Sequence, residues 1–235
     1  MDLKEENILG EGVRYHWYYR AKAMALLKYL GKRKFSSILD VGAGSGYFSQ
    51  FLLKSGYGQN STCVDSNYNE EHVEILEGKR LEYKKSIERS DADLMLLMDV
   101  IEHVDDDIGL IQEYSDKLAP GATILITVPA FNFLWSGHDI FLGHKRRYTR
   151  SSLIRTVETT GLSIINTSYF FVLVFPLAAA KRLSDKFYKT IPECQLTRHN
   201  PIVNRLLLSL CMCELPIFKW NRIAGLSVFC LAKKL

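Results

Sequence analysis

The chain has 235 residues, of which 47% are apolar and 24% charged, ordinary values for one globular domain of generous size. Disorder, collagen and coiled coil are excluded for the chain as a whole. Thirty Lys and Arg stand against 26 Asp and Glu, and the resulting +4 is too small to imply nucleic acid. Five cysteines (Cys63, Cys194, Cys211, Cys213 and Cys230) are odd in number and form no CxxC pair. That disfavours a disulfide framework or a zinc ribbon and points to a reducing cytoplasm.

The start, MDLKEENILGEG, is polar and acidic, unlike a signal peptide. Residues 13–30 read as a helix with its aromatics in the first half. Ser36 to Asp40 is a short apolar run ending in an acid and glycines, the pattern of a buried strand meeting a tight turn. A helix follows from Tyr47 to Lys54, stopped near Gly56. Thr62 to Val64, Leu81 to Ile87 and Leu94 to Met98 read as the second, third and fourth strands. Asp105 to Leu118 is helical, with Asp105 or Asp106 able to cap it, and Pro120 and Gly121 stop it. Ala122 to Val128 is a fifth strand. Thr149 can cap a helix ending near Gly161, and a sixth strand lies around Leu162 to Val174. Pro176 to Arg222 holds four of the six prolines and reads as an inserted cap before a last strand, Leu226 to Ala232.

Strands alternating with helices at this spacing predict a Rossmann-like, doubly wound α/β fold with a seven-stranded, mostly parallel sheet and a helical cap. Ligands of such sheets bind beyond the carboxyl ends of the strands. The expected division is a helical lid over 1–34, a cofactor-binding core over 35–175, the cap over 176–222 and a final strand over 223–235.

The sharpest signal follows the first strand: Asp40, Gly42, Ala43, Gly44 and Gly46 in ILDVGAGSG. Glycines at a spacing of two let backbone approach a ligand and turn into the next helix. A dinucleotide fingerprint would put its third glycine at Tyr47, and no GK[ST] follows, so neither a nicotinamide cofactor nor a P-loop fits.

These residues resemble the first motif of the class I methyltransferases that use S-adenosylmethionine. Asp65 closing CVD is similar to the acid at the end of their second strand. MDVIEHV (98–104) is similar to the segment after their fourth strand, and LAPGATILITVP to the approach to their fifth. HWYYRAK from residue 16 and FLWSGHDIFLGHKRRYT (133–149) resemble a bacterial subgroup often connected with surface glycan or lipid pathways. The resemblance implies S-adenosyl-L-methionine as cofactor. Asp65, with Ser66 beside it, would hold the ribose hydroxyls, and Asp40 the methionine ammonium or, alternatively, only the following turn. Met98, Asp99, Glu102 and His103 would line its methionine end, although His103 equally reads as satisfied by helix backbone. Ser86 and Ile87 stand for an adenine pocket that this sequence does not mark clearly.

The loop after the fifth strand holds His138, His144, Arg146, Arg147 and Tyr148. Arginines suit an anionic acceptor, and His138 or His144 could take its proton during transfer; a solvated basic loop is the bland alternative. His16, Trp17, Tyr19 and Arg20 open the first helix and are expected either to close over the cleft and touch substrate or to be core. Scattered histidines without HxH or HExxH give no metal constellation.

The sequence therefore predicts a methyltransferase that O-methylates a small-molecule, glycan or lipid-linked acceptor, with no nucleic-acid partner. The alternative is a non-catalytic S-adenosylmethionine-binding protein of the same fold. Tyr169 to Ala180 is too short for the ~20 residues of a membrane-spanning helix. Lys181 and Arg182 follow it, so contact with a membrane surface stays open beside a cytoplasmic location; the leucines of residues 202–210 are expected to be core, the alternative being a cap that faces something oily.

Overall fold

The computed structural model describes residues 10–185 and 200–235. The remaining residues, with Cys194, the acidic start and the middle of the expected cap, lie outside them. The described helices are α1 (Trp17–Leu30), α2 (Tyr47–Lys54), α3 (Asp107–Asp116), α4 (Gly137–Leu142), α5 (Arg150–Thr159), α6 (Phe175–Asp185) and α7 (Pro201–Glu214). The strands are β1 (Ser37–Val41), β2 (Asn60–Val64), β3 (His72–Leu76), β4 (Lys79–Lys84), β5 (Leu94–Met98), β6 (Thr123–Pro129), β7 (Ser163–Phe170) and β8 (Ser227–Lys233).

They form one sheet in the order β3-β4-β2-β1-β5-β6-β8-β7. Pairing is parallel from β4 through β6 and antiparallel at β3, β8 and β7. The order reverses at β1, so the carboxyl ends of β1 and β5 flank a crevice where helices leave on opposite faces. β5 shows how sequence builds the two cores. Leu94, Leu96 and Met98 point into the cluster that holds Leu26, Phe48 and Phe229. Met95 and Leu97 point into the one that holds Ile111, Ile126 and Leu153. A strand apolar at every position is buried on both faces, each such side chain contributing ~1.5–3 kcal/mol.

The doubly wound architecture agrees with the sequence, but the sheet has eight strands. The additional one, β3, is an exposed edge strand interrupted by Glu74, and Glu77 and Gly78 join it to β4 with φ of 52° and 79°. Two consecutive left-handed residues make a hairpin turn that matches strand twist. Strand β4 also begins two residues before the expected Leu81 and ends at Lys84, so Ser86 and Ile87 lie beyond it. The sixth expected strand stops at Phe170. Phe171 takes φ 68°, and the chain re-enters a helix at Phe175, with Pro176 tolerated in its first turn.

Helix α1 begins at His16, whose Nδ1 accepts the Tyr18 amide, and ends at Gly31. Asn204 of α7 ties the two helices together, accepting from the Trp17 amide at 2.8 Å and donating to the Tyr15 carbonyl at 2.9 Å. The expectation that the leucines of α7 are core is corrected here. Ile202 is 78% and Leu206 59% exposed, while Leu207, Leu208 and Leu210 are only half-buried against the core. Full burial in α7 is confined to Cys211 and Glu214. The Glu214 carboxylate accepts the Phe171 and Leu173 amides and so fixes the turn into α6. No described helix is long and apolar enough to cross a membrane.

Candidate active site

Beyond β1 and β2 lies a cavity of about 490 Å³, lined by Gly42, Asp65, Ser66, Asn67, Val100, Leu110 and Tyr114 among others. The glycine turn shapes it. Gly42 has φ 64°, and a Cβ there would sit 2.8 Å from Val100, on the cavity wall. The Gly44 amide donates to Asp65 Oδ2 at 3.1 Å, and the Asn67 amide donates to Oδ1 at 3.0 Å. Asn67 Nδ2 also donates to Oδ1, at 3.1 Å, so Oδ2 keeps acceptor capacity for a diol and Oδ1 gains it when the Asn67 side chain turns away. Ala43 is buried against the β2 end, its amide reaching the Val64 carbonyl, and Gly46 starts α2 facing Tyr83 and Cys63.

A second cavity of about 330 Å³ lies under α1, α6 and α7. Its walls are largely apolar or aromatic: Trp17, Tyr18, Tyr19, Phe48, Val174, Leu177 and Leu207. Its polar groups are Asp99, Glu102, His103, His138, His144, Arg147, Lys181 and Arg182. The two cavities share Asp99, His103 and Leu142.

Asp99 follows β5 with φ 56°. It takes the ammonium of Lys22, a fully buried lysine of α1, and accepts from Thr127 Oγ1 at 3.1 Å. Burial alone would push the Asp99 carboxyl up, but the Lys22 charge and hydrogen bond hold it below the ordinary range. The same pairing outweighs burial at Lys22 and keeps that amine charged. Glu102 differs. It is fully buried, and neither carboxylate oxygen has a hydrogen-bond partner among the described residues. Burial and then the neighbouring Asp99 charge push it well above the ordinary carboxylate range.

Asp139, three residues into the capping box of α4, is the hub of the other wall. Its carboxylate accepts the Ser136 amide at 2.8 Å, His144 Nδ1 at 2.8 Å, and Arg147 Nε and Nη2 at 2.7 and 3.0 Å. Burial acts against its charge, but these donors hold the carboxyl far below its usual range. The His138 imidazole is pulled down to about 3 by burial and then by Arg182, so it is neutral at physiological pH and a very weak base. His103 and His144 meet edge to face with ring centroids 4.7 Å apart. One ring nitrogen of each and a Glu102 oxygen lie within 4.8 Å of one another. The expectation of no metal constellation thus meets a cluster that only the fold assembles, His144 lying some 40 residues beyond the adjacent Glu102 and His103.

Other expected residues fall elsewhere. Asp40 lines neither cavity; it is buried with Oδ2 accepting from Ser49 at 2.8 Å, and burial raises it to about 6 despite that bond. Met98 is core, Ser86 is exposed, and Ile87 is half-buried against the core group that includes Val64, Val100 and Tyr114 of the first cavity's wall. Arg20 is exposed and His16 buried as a cap, whereas Trp17 and Tyr19 face the second cavity. Arg146 is spent on the Val104 and Asp105 carbonyls at 3.0 and 2.6 Å and on Asp107 at 3.1 Å. Tyr148 donates to Asp107 at 2.7 Å. The basic loop is therefore neutralised by Asp105 and Asp107 and by its own Asp139, and the cations at the cavity rim are Lys181 and Arg182. Lys181 and Arg182 were read from sequence only as a candidate membrane contact, and Lys22 and Asp139 were not among the expected site residues; for Lys22, a lysine between alanines was the one available signal.

A family model described as a methyltransferase domain matches residues 15–167. No curated protein matches the chain. Among solved structures, it resembles a Haloferax volcanii methyltransferase captured with the Trm112 methyltransferase activator (TM-score 0.56, 13% identity, 95% of this chain and 92% of that chain). A Bacillus halodurans methyltransferase structure gives TM-score 0.55 at 13% identity over 90% of this chain and 98% of that one. A Haemonchus contortus phosphoethanolamine N-methyltransferase in complex with S-adenosyl-L-methionine gives 0.52 at 16% identity, over 91% of this chain and 52% of that one. Likenesses at such identity speak to the fold.

Proposed function

The chain belongs to the methyltransferase domain family and is an S-adenosylmethionine-dependent methyltransferase, and from that premise we propose that it methylates a hydroxyl oxygen of an acceptor with a large apolar part. The observation that carries this reading is the shared wall of Asp99, His103 and Leu142 between two cavities of different chemistry. Asp65 would hold the ribose hydroxyls of the cofactor, Gly42 leaves room beside it, and Asp99, His103 and Leu142 would line its sulfonium end. The acceptor enters the aromatic chamber from the opposite side.

The sulfonium methyl is already activated, so alignment at about 3–3.5 Å supplies most of the rate. The acceptor oxygen bonds to the methyl carbon while the carbon–sulfur bond breaks and a neutral thioether leaves. A hydroxyl must also lose its proton. The polar floor of Glu102, His103 and His144 is the place for that loss. His138 is too weakly basic and serves as a neutral donor or acceptor that orients the acceptor.

A lipid-linked acceptor is the class we favour. Leu177 of α6 is 68% exposed, and with Ile202 and Leu206 of α7 it gives this end of the protein an oily surface next to Lys181 and Arg182. An anionic head at that rim and an acyl tail along the helices match these features, and support a reading of the enzyme as peripheral at a membrane surface. Incubation with methyl-labelled cofactor and fractionated lipids, glycans and small molecules tests the reading. Label should enter an alkali-stable ether in the lipid fraction. Label only in amines, or only in water-soluble products, contradicts it.

A further inference from the structure

We infer that Glu102, His103 and His144 form a binding site for one divalent transition-metal ion, with zinc or cobalt as the ions best suited to it. The site goes beyond the methyltransferase reading, and ion binding does not depend on that reading. Donor atoms of the three side chains lie within 4.8 Å of one another. In a zinc site with bonds of ~2.0–2.2 Å, neighbouring donors sit roughly 3.4 Å apart, so the cluster closes by at most about 1.4 Å on loading. His103 lies on a turn and is only half-buried, which leaves it room to make that movement.

Two features point to an ion. The first is Glu102, a fully buried carboxylate on the chamber wall without a hydrogen-bond partner among the described residues. A carboxylate removed from water requires a partner, and a bound cation is one. The second is the support of His144. Its Nδ1 meets Asp139 Oδ1 at 2.8 Å, so the proton sits on Nδ1 and the lone pair on Nε2. A carboxylate behind a ligating imidazole fixes tautomer and orientation in the same way at known metal sites.

Two imidazoles and one carboxylate leave at least one coordination position open. That position faces the chamber, since all three residues line it. An acceptor hydroxyl occupying it becomes a stronger acid and loses its proton to solvent. The oxygen lone pair then forms the bond to the methyl carbon, the carbon–sulfur pair leaves with sulfur, and the ion is unchanged. In this role the ion does what a histidine base would otherwise do.

The test uses the full chain stripped with chelator and titrated with Co²⁺. One equivalent should bind with visible d–d absorption and be displaced by Zn²⁺. Glu102→Gln and His144→Gln should abolish that spectrum. Asp139→Asn should weaken binding by ~10–100-fold. His72→Gln, at an exposed histidine of β3, should change nothing. Retained S-adenosylmethionine affinity certifies that each variant is folded. Absence of Co²⁺ binding, or binding unaffected by Glu102→Gln and His144→Gln, overturns the site. A stripped enzyme that transfers methyl at the full rate overturns the ion's part in the reaction, and leaves the methyltransferase reading intact.

Discussion

The two cavities that meet at His103 are built in opposite ways. The one over Asp65 is walled by the ends of β1, β2 and β5 with Leu110 and Tyr114 of α3 and Leu142 of α4, but the part that meets a ligand's sugar is a strand end and a glycine turn. Its shape is backbone shape, and Gly42 and Asp65 act through main-chain geometry and one carboxylate. The chamber under α6 and α7 is made of side chains from elements spread over more than 200 residues, from Trp17 to Ser227. Its polar groups are held by one another: Asp139 positions His144 and Arg147, and Lys22 positions Asp99. A site written in backbone tolerates change in its surroundings, whereas a site written in a buried network fails when one member is lost.

The sharpest way to break that contrast is Asp139→Ala. It leaves the Arg147 guanidinium, almost wholly buried, without its partner and releases His144. Loss of one member of a buried pair costs about 3–5 kcal/mol. Denaturant unfolding should show a fall of that order, while cofactor affinity, measured on the fraction still folded, stays near wild type. A loss below ~1 kcal/mol would mean the chamber is not held by this hub.

Asp40 probes the backbone side through pH. Its carboxyl is raised from 3.8 to about 6 by burial. Folding therefore favours the protonated form: the stabilisation is complete below pH 3.8 and is lost as pH rises through about 6. The rise corresponds to roughly 3 kcal/mol. Asp40→Asn, which cannot ionise, should flatten the decline of wild-type stability between pH 4 and 7. Parallel curves for the two proteins would contradict the buried, ligand-free placement of Asp40.

The same contrast explains what could be read from sequence. The alternation of strands and helices, the Thr149 cap and the glycine turn rest on local periodicity and spacing, which survive in one dimension. Helix α3 begins at Asp107, later than expected, because Asp106 is the residue whose side chain reaches the Gly109 amide. Edge strand β3 was missed because its alternation, Val73 and Ile75 with His72 and Glu74, spans only five residues and its apolar side chains stay exposed. The acceptor side was misread where charge was counted along the chain. No acid lies between Asp139 and Glu158, yet Asp105, Asp107 and Asp139 surround Arg146 and Arg147 in space. The α7 leucines were misread for the converse reason, because composition does not say which apolar helix a domain leaves on its surface.

Asp65→Ala should weaken S-adenosylmethionine by ~1.5–3 kcal/mol, the worth of a charge-assisted hydrogen bond, with unfolding stability changed less. Calorimetry with unaltered affinity would take Asp65 out of the cofactor site. The smallest effect is expected at Arg146, which is partly exposed and serves the loop of Val104 and Asp105. Arg146→Ala should cost about 1 kcal/mol of stability and leave the acceptor KM unchanged. A raised KM with unchanged stability would return Arg146 to the acceptor.

The central claim is the division of labour between the two cavities, and a crystal structure with S-adenosylhomocysteine tests it most directly. The account predicts the ribose on Asp65 and the sulfur at the wall of Asp99, His103 and Leu142, with the chamber lined by Trp17, His138 and Leu177 still open. Cofactor density inside that chamber, with Asp65 untouched, would contradict it.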